Sequence, residues 1–412
     1  MEKTMTAVKK ITFKNGFTLI LSPRPDSALV AINLCMNLGN LFESEEERGI
    51  SALMQETLLK GTQRQSAIDF NRAVENMGAT INSSSSYFTG RVVMQGPAIN
   101  MGQMLKLFFE AIKSPAFQEE EIEREKTFLL NVLRSLDDDP FQAAMLRFKK
   151  AFYGRHPYAF PTIGEEKTLR NLGEEEIWSW YRKVYVPNNM VAAVVGDFDP
   201  DEVEKIFHEE MGEIIPKEPL APYLEKFSPL SLKIVDRKEV RDSWMVVGFK
   251  APGLLEEKER VVFDILNNIL GGSMYSRLFL KIREERGLSY QVGSLYVPLR
   301  GPSFICAYAS FPYVYFDAVV RILWEELRGL SHLEKEEFEE AKNYTRGNFL
   351  HCLETVFSLS SLFAFFEKVG LGWEFIFRYE KMLREISVEE AEAVYQRFNG
   401  QGESMGGIVP AE

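Results

Sequence analysis

The 412 residues predict an α+β protein of two homologous domains, each a mostly antiparallel β-sheet covered by long α-helices. Three observations point there. A helix, a glycine and a strand recur in the same order and length: Asn71–Met77, Gly78 and Ala79–Tyr87 match Leu280–Arg286, Gly287 and Leu288–Tyr296. A block of long amphipathic helices follows each copy. Between the copies Pro216, Pro219, Pro222 and Pro229 forbid a regular helix and read as a stiff, extended linker. The expected division is therefore residues 1–214, a linker at 215–230, and residues 231–412. Each copy, at about 200 residues, is within the usual size of a domain.

The elements follow in order. Ile11–Phe13, Asn15-Gly16 and Phe17–Leu21 read as a hairpin, because both turn residues tolerate positive φ. Leu29–Leu38 is a strand, and the next helix stops at Lys60-Gly61, with glycine as its cap. Ser66–Met77 is a helix, followed by strands Ala79–Tyr87 and Arg91–Gln95. Met101–Ile112, Glu119–Leu136 and Pro140–Phe152 are amphipathic helices, and Trp178–Val184 is helical up to Pro187. Met190–Val195 is a continuous apolar run of buried-strand type.

Beyond the linker the pattern restarts. Ser243–Phe249 is a strand, Glu257–Leu270 and Tyr275–Glu285 are helices, and Ser289–Val297 and Ser303–Tyr308 are strands. Helices return at Phe316–Leu327, Lys335–Leu353 and Leu359–Phe366.

Apolar content of 45% is enough for large cores. A net charge of -12 excludes nucleic acid as a partner, because its phosphates would be repelled. Cys35, Cys306 and Cys352 form no disulfide framework and suit a reducing compartment. From Met1 to Lys14 there is no apolar signal core, and no run of about twenty apolar residues occurs. The expectation is a cytoplasmic protein with no membrane contact.

Several stretches together carry a resemblance. They are the frame Gly49–Thr62, Asp137-Asp138-Asp139-Pro140 after a long helix, His156-Pro157-Tyr158, Tyr185-Val186-Pro187-Asn188-Asn189-Met190, and Val194–Asp199. The second half adds Ser276-Arg277-Leu278-Phe279 and Arg283 through Tyr290. In this order the chain resembles, along essentially its whole length, the pitrilysin/insulinase family of zinc peptidases (family M16). The likeness is to its two-domain bacterial and mitochondrial-processing-peptidase-like branch, whose fold is LuxS/M16-like.

That family's motif H-x-x-E-H puts two zinc-binding histidines and a water-activating glutamate on one helix. Here the equivalent positions are Ala52, Gln55 and Glu56, and the third-ligand position falls at Asn131 or its neighbour Val132. Alanine has no donor atom and glutamine accepts no proton from water. This chain is thus expected to bind no metal. His156, His208, His332 and His351 show no ligand spacing and read as surface or packing residues. Glu119–Glu125 and Asp137–Asp139 read as a solvated helix face and a helix-terminal loop.

The resemblance also implies an Arg and a Tyr from the second domain that reach the scissile carbonyl, and Arg283 and Tyr290 fall on that motif. A guanidinium and a phenol are donors suited to a developing oxyanion. Gly287 should end the helix bearing Arg283, and Tyr290 should open the next strand. Arg277, by contrast, reads as structural, and Arg286 lies close enough to compete for the assignment. The resemblance further implies that Ala79–Tyr87 is an edge strand that pairs with an extended substrate, and the small side chains of Asn82, Ser83, Ser84 and Ser85 would leave its backbone free to do so. A polar edge protected against aggregation has the same composition.

Three functions compete. The first is the metal-free subunit of a heterodimeric zinc peptidase. Its partner would carry H-x-x-E-H and the zinc, its substrates would be unfolded peptides, and Arg283 and Tyr290 would act in trans. The second is a scaffold with no peptidase role. The third is a peptidase with a metal site rebuilt around Glu56, where Gln55 and Asn131 offer only weak amides.

Overall fold

The computed structural model describes residues 8–223 and 226–411. The expectations for residues up to Ala7, and for Leu224 and Glu225 of the linker, lie outside the described residues. The first half runs β1 (Lys9–Thr12), β2 (Thr18–Pro23), β3 (Leu29–Met36), α1 (Ile50–Leu58), α2 (Ala67–Glu75), β4 (Thr80–Ser85) and β5 (Gly90–Pro97). Then come α3 (Met101–Lys113), α4 (Glu119–Asp138), α5 (Pro140–Tyr153), α6 (Glu166–Leu169), α7 (Glu174–Val184), β6 (Met190–Gly196) and α8 (Pro200–Met211). The second half runs β7 (Lys233–Lys238), β8 (Ser243–Ala251), α9 (Glu257–Asn267), β9 (Val292–Val297), β10 (Ser303–Phe311) and α10 (Phe316–Gly329). It closes with α11 (Lys335–His351), α12 (Val356–Val369), α13 (Phe375–Glu385), α14 (Val388–Gln396) and β11 (Ser404–Pro410).

Strand order establishes the duplication. One sheet reads β1-β2-β6-β3-β5-β4 and the other β7-β11-β8-β10-β9. In both, a first strand lies parallel to the last strand of its half (β2 to β6, β7 to β11), and every other pairing is antiparallel. The helix, glycine and edge strand matched in sequence occupy equivalent places, with Gly78 at φ +65° and Gly287 at φ +60°. Only glycine takes that conformation at little cost.

The described residues gather into two compact units. One comprises residues 8–133, 162–223 and 352–375; the other comprises residues 134–161, 226–351 and 376–411. Helices α5 and α12 each group with strands from the other half of the sequence. In the first unit the second-half helix α12 packs on β3 and β6. In the second the first-half helix α5 packs on β11 and β8. Both helices stand at the same place in the repeat, third in the helical block.

Small residues let each helix approach its sheet. Under α12, Ala193 of β6 is fully buried, and its cross-strand partner Asn33 of β3 donates its Nδ2 to Ser361 Oγ at 2.8 Å. Under α5, a Cβ at Gly406 would stand 1.9 Å from the Phe148 backbone nitrogen. Gly406 in β11 thus lets the α5 backbone rest on the strand.

Several boundaries differ from expectation. At the first hairpin only Gly16 has positive φ (+87°), so the turn is not the two-residue type expected. Asn15 instead donates its Nδ2 to the carbonyls of Met211 and Ile214 at 2.7 and 3.0 Å, tying down the end of α8. The helix expected to run to Leu270 leaves α-geometry after Asn267 for a wider i→i+5 turn at Asn268–Gly272. The expected Tyr275–Glu285 helix begins at Arg277, and Phe279–Glu284 is likewise wide-turned.

The acidic loop is accounted for by packing. Asp139 caps α5 by accepting from Gln142 N at 2.8 Å, and Asp137 pairs with Arg147 and Lys238, each at 2.7 Å. Among the described residues no single helix is long and apolar enough to cross a membrane. The apolar run from α11 into α12 is interrupted between the two helices, at residues 352–355.

Candidate functional site

Each unit carries its own part of the candidate site. In the first, α1 brings Ala52, Gln55 and Glu56 to one side of the edge strand β4. Its amino end is fixed by Glu43, whose Oε2 and Oε1 accept from Gly49 N (3.0 Å) and Ser51 N (3.1 Å). Burial pushes the Glu43 carboxyl up to about 7, against the pull of the Ser51 hydroxyl and those two amides.

Gln55 is 1% exposed and its amide oxygen is fully engaged. Its Oε1 accepts from the Tyr185 hydroxyl at 2.7 Å and the Ser83 hydroxyl at 3.0 Å, while Nε2 donates to Ser84 O at 3.2 Å. A carbonyl oxygen has two lone pairs, so no acceptor site remains for a cation. Glu56 is half-buried, and burial raises its carboxyl above the usual range. The Glu125 carboxylate adds to that rise, and Lys60 opposes it. Lys60 Nζ lies 2.6 Å from Glu125 Oε1.

Asn131 is exposed on α4, and the residue of that helix that acts on Glu56 is Glu125, about 9 Å earlier along the axis. The sequence reading missed Glu125 and Tyr185. Tyr185 stood inside a matched stretch, but nothing in its spacing named Gln55 as its partner. Zinc needs a closed set of nitrogen, sulfur or carboxylate donors. Ala52 offers none, the Gln55 oxygen is filled, and Glu125 already holds an ammonium. These residues do not fit the metal, and among the described residues no group of His, Cys, Asp and Glu is placed to hold one.

Asn82, Ser83, Ser84 and Ser85 lie on β4, which is outermost and pairs with β5 alone. Ser86 N donates to Thr89 O at 2.8 Å, so even-numbered residues bond β5. Ile81, Ser83 and Ser85 therefore present their backbone groups away from β5. The backbone of this edge has the form needed for pairing with an extended peptide.

In the second unit Arg283 and Tyr290 come together. The Arg283 Cζ stands 4.3 Å from the Tyr290 ring centroid and 4.8 Å from that of Phe279. Its Nη1 donates to Tyr290 O at 3.2 Å. Tyr290 is 76% exposed. It does not open the strand, as expected from sequence, but sits in the bend before β9, which starts at Val292. The bend lets the ring fold back over the guanidinium, which a strand residue fixed by a ladder partner does less readily.

Arg277 is structural. Its Nε and Nη2 grip Glu337 at 2.8 and 2.6 Å, and Nη1 donates to Gly329 O at 2.9 Å. Arg286 donates to Lys281 O at 3.4 Å. His156 packs among Tyr153, Tyr158 and Phe227, and His208 against Phe13.

Comparisons with known proteins agree with this architecture. The model of the insulinase family (peptidase family M16) matches residues 19–166, and that of the peptidase M16 inactive domain matches residues 171–345. A Bacillus subtilis zinc protease, YmxG, is 27% identical over 86% of each chain. The zinc protease PqqE of Helicobacter pylori is 24% identical over 86% of this chain and 82% of its own. Two solved structures share the fold. A Helicobacter pylori protease superposes with a TM-score of 0.88 at 21% identity, covering 98% of this chain and 99% of that one. A peptidase M16 inactive-domain protein from Pseudomonas fluorescens superposes with a TM-score of 0.90 at 19% identity, covering 98% of each. With its two halves matched in order by the two models of the family, the chain belongs to the insulinase family of peptidases, M16.

Proposed function

We propose that this chain is the metal-free subunit of a two-chain zinc peptidase. A partner subunit with an intact H-x-x-E-H holds the zinc and the general base. This chain supplies Arg283 and Tyr290. The observation that carries the reading is a contrast. At Gln55 the former chemistry is replaced by hydrogen bonds within the fold, while Arg283 and Tyr290 remain gathered with the phenol open to solvent.

The chemistry asked of this chain is modest. When water adds to a peptide carbonyl, negative charge builds on its oxygen. The Arg283 guanidinium has more N–H donors than its contact with Tyr290 O uses, and the Tyr290 hydroxyl is a further donor. Each such donor is worth about 3 kcal/mol in the transition state. The substrate class is an unfolded peptide that can extend along an edge strand such as β4.

The test is a peptidase assay on extended peptides with this chain, an H-x-x-E-H subunit, and their mixture. Activity should rise only in the mixture and fall about 10²-fold with Arg283→Ala or Tyr290→Phe in this chain. Stable association with no rise would replace this reading with the scaffold.

A further inference from the structure

We propose that Phe279 is a positioning residue that holds the Arg283 guanidinium at the angle at which it meets substrate. The proposal rests on the complementing-subunit reading. Phe279 opens the wide-turned segment Phe279–Glu284, and Arg283 follows four residues on, on the same side of the helix. The Arg283 Cζ lies 4.8 Å from the Phe279 centroid and 4.3 Å from the Tyr290 centroid, both inside cation–π range. The opposing charge nearest it is weak in effect, since Arg283 Nε stands 3.9 Å from Glu284 Oε1. Two rings and one carbonyl, rather than a carboxylate, therefore set where the guanidinium rests.

That choice has a chemical reason. A carboxylate salt bridge would position the arginine but neutralise the charge an oxyanion needs. Aromatic faces restrain a planar cation without occupying its N–H edge. An arginine left on a single ring would regain rotamer freedom, and misplacement by about 1 Å costs as much as 10²-fold in rate. Phe279 is spare in packing terms. Its neighbours Leu278 and Ile282 are fully buried and anchor the segment, whereas Phe279 is only half-buried. Isolated i→i+5 turns are rare and recur at functional sites, which suits a segment that carries a placed side chain.

Two readouts test this. In the isolated full chain with arginine-selective ¹⁵N labelling, ring currents should displace the Arg283 Nε–H resonance upfield. Phe279→Leu should move it back toward the unshifted position, and Phe279→Tyr should leave it in place. In the mixture with the H-x-x-E-H subunit, Phe279→Leu should lower kcat about tenfold with KM within about twofold, melting unchanged, and Phe279→Tyr should restore kcat. An Arg283 resonance indifferent to Phe279→Leu overturns the assignment. An active mixture indifferent to Phe279→Leu overturns it too and leaves the complementing-subunit reading standing. A mixture inactive with the unaltered chain sinks both.

Discussion

The Tyr185 hydroxyl donates to Gln55 Oε1 at 2.7 Å, so the residue that the resemblance sets at the general-base position is a fastener of the fold. Through the same amide α1 also holds Ser83 and Ser84 of the edge strand. Gln55→Glu keeps the size but cannot donate to Ser84 O, and it brings a charge into a site that is 1% exposed. The variant should lose about 1–3 kcal/mol in denaturant melts and gain no peptidase activity alone. Excess zinc should leave the melting temperature of the unaltered chain where it was, because a ligand that binds only the folded state raises it. A zinc-dependent rise would restore the rebuilt-site reading.

Glu43 predicts a pH dependence. Its folded carboxyl titrates at about 7, above the ordinary 4.5, because it is buried. The folded state therefore binds more protons than the unfolded chain between those values, and the stability contributed by this group falls as pH rises through that window. Above about 7 the loss is complete, on the order of 3 kcal/mol. Glu43→Gln should flatten this part of the profile in equilibrium melts from pH 4.5 to 8. A variant profile parallel to the parent's would remove Glu43 as the cause.

The exchanged helices predict that neither half folds alone. Residues 1–214 retain α5 but not the sheet it covers, and residues 231–412 keep α12 in the same condition. In α5 alone Met145, Phe148, Phe152 and Tyr153 would be exposed, each worth about 1.5–3 kcal/mol when buried. Expressed separately, the halves should lack a cooperative melt; expressed together, they should co-purify and melt as one. A cooperative melt from either half by itself would contradict this.

Much of the architecture was legible because punctuation residues carry it. Gly78 and Gly287 end helices and precede edge strands in both copies. The exchange of α5 and α12 was not legible, since an amphipathic face says that a helix is covered and not which sheet covers it. The candidate site divides the same way. Arg283 and Tyr290 were found from a motif, whereas Phe279, Tyr185 and Glu125 act through contacts that only folding creates. Asn15 was read correctly as a turn residue but for the wrong reason. Its side chain holds the end of α8, and its φ is not positive.

Gly406 tests the close approach of α5. A Cβ there would meet the Phe148 nitrogen at 1.9 Å and its Cα at 2.3 Å, and helix backbone cannot move aside as a side-chain tip does. Gly406→Ala should cost about 3 kcal/mol or more. Gly347→Ala, with open space around the added carbon and a helical position in α11, should be neutral or stabilising by up to about 1 kcal/mol. Equal effects in thermal melts would mean that α5 does not rest on β11 as described.

Arg277 and Arg283 stand six residues apart in different surroundings, and on the proposed function only Arg283 meets substrate. Arg277 spends its planar fork on Glu337 and the Gly329 carbonyl, with its side chain 15% exposed. Lysine cannot reproduce that fork, so Arg277→Lys should lower stability by about 2 kcal/mol. Any loss of activity in the mixture should track the unfolded fraction. Arg283 touches two rings and one carbonyl near the surface, so Arg283→Lys should melt like the parent yet lower kcat in the mixture. Lysine keeps the charge, but a single ammonium does not lie flat between aromatic faces or offer a planar set of donors. The pair of variants thus asks one question with an internal control. If Arg283→Lys loses stability and Arg277→Lys loses only turnover, the two roles are interchanged and the oxyanion donor lies on the Glu337 side of the helix.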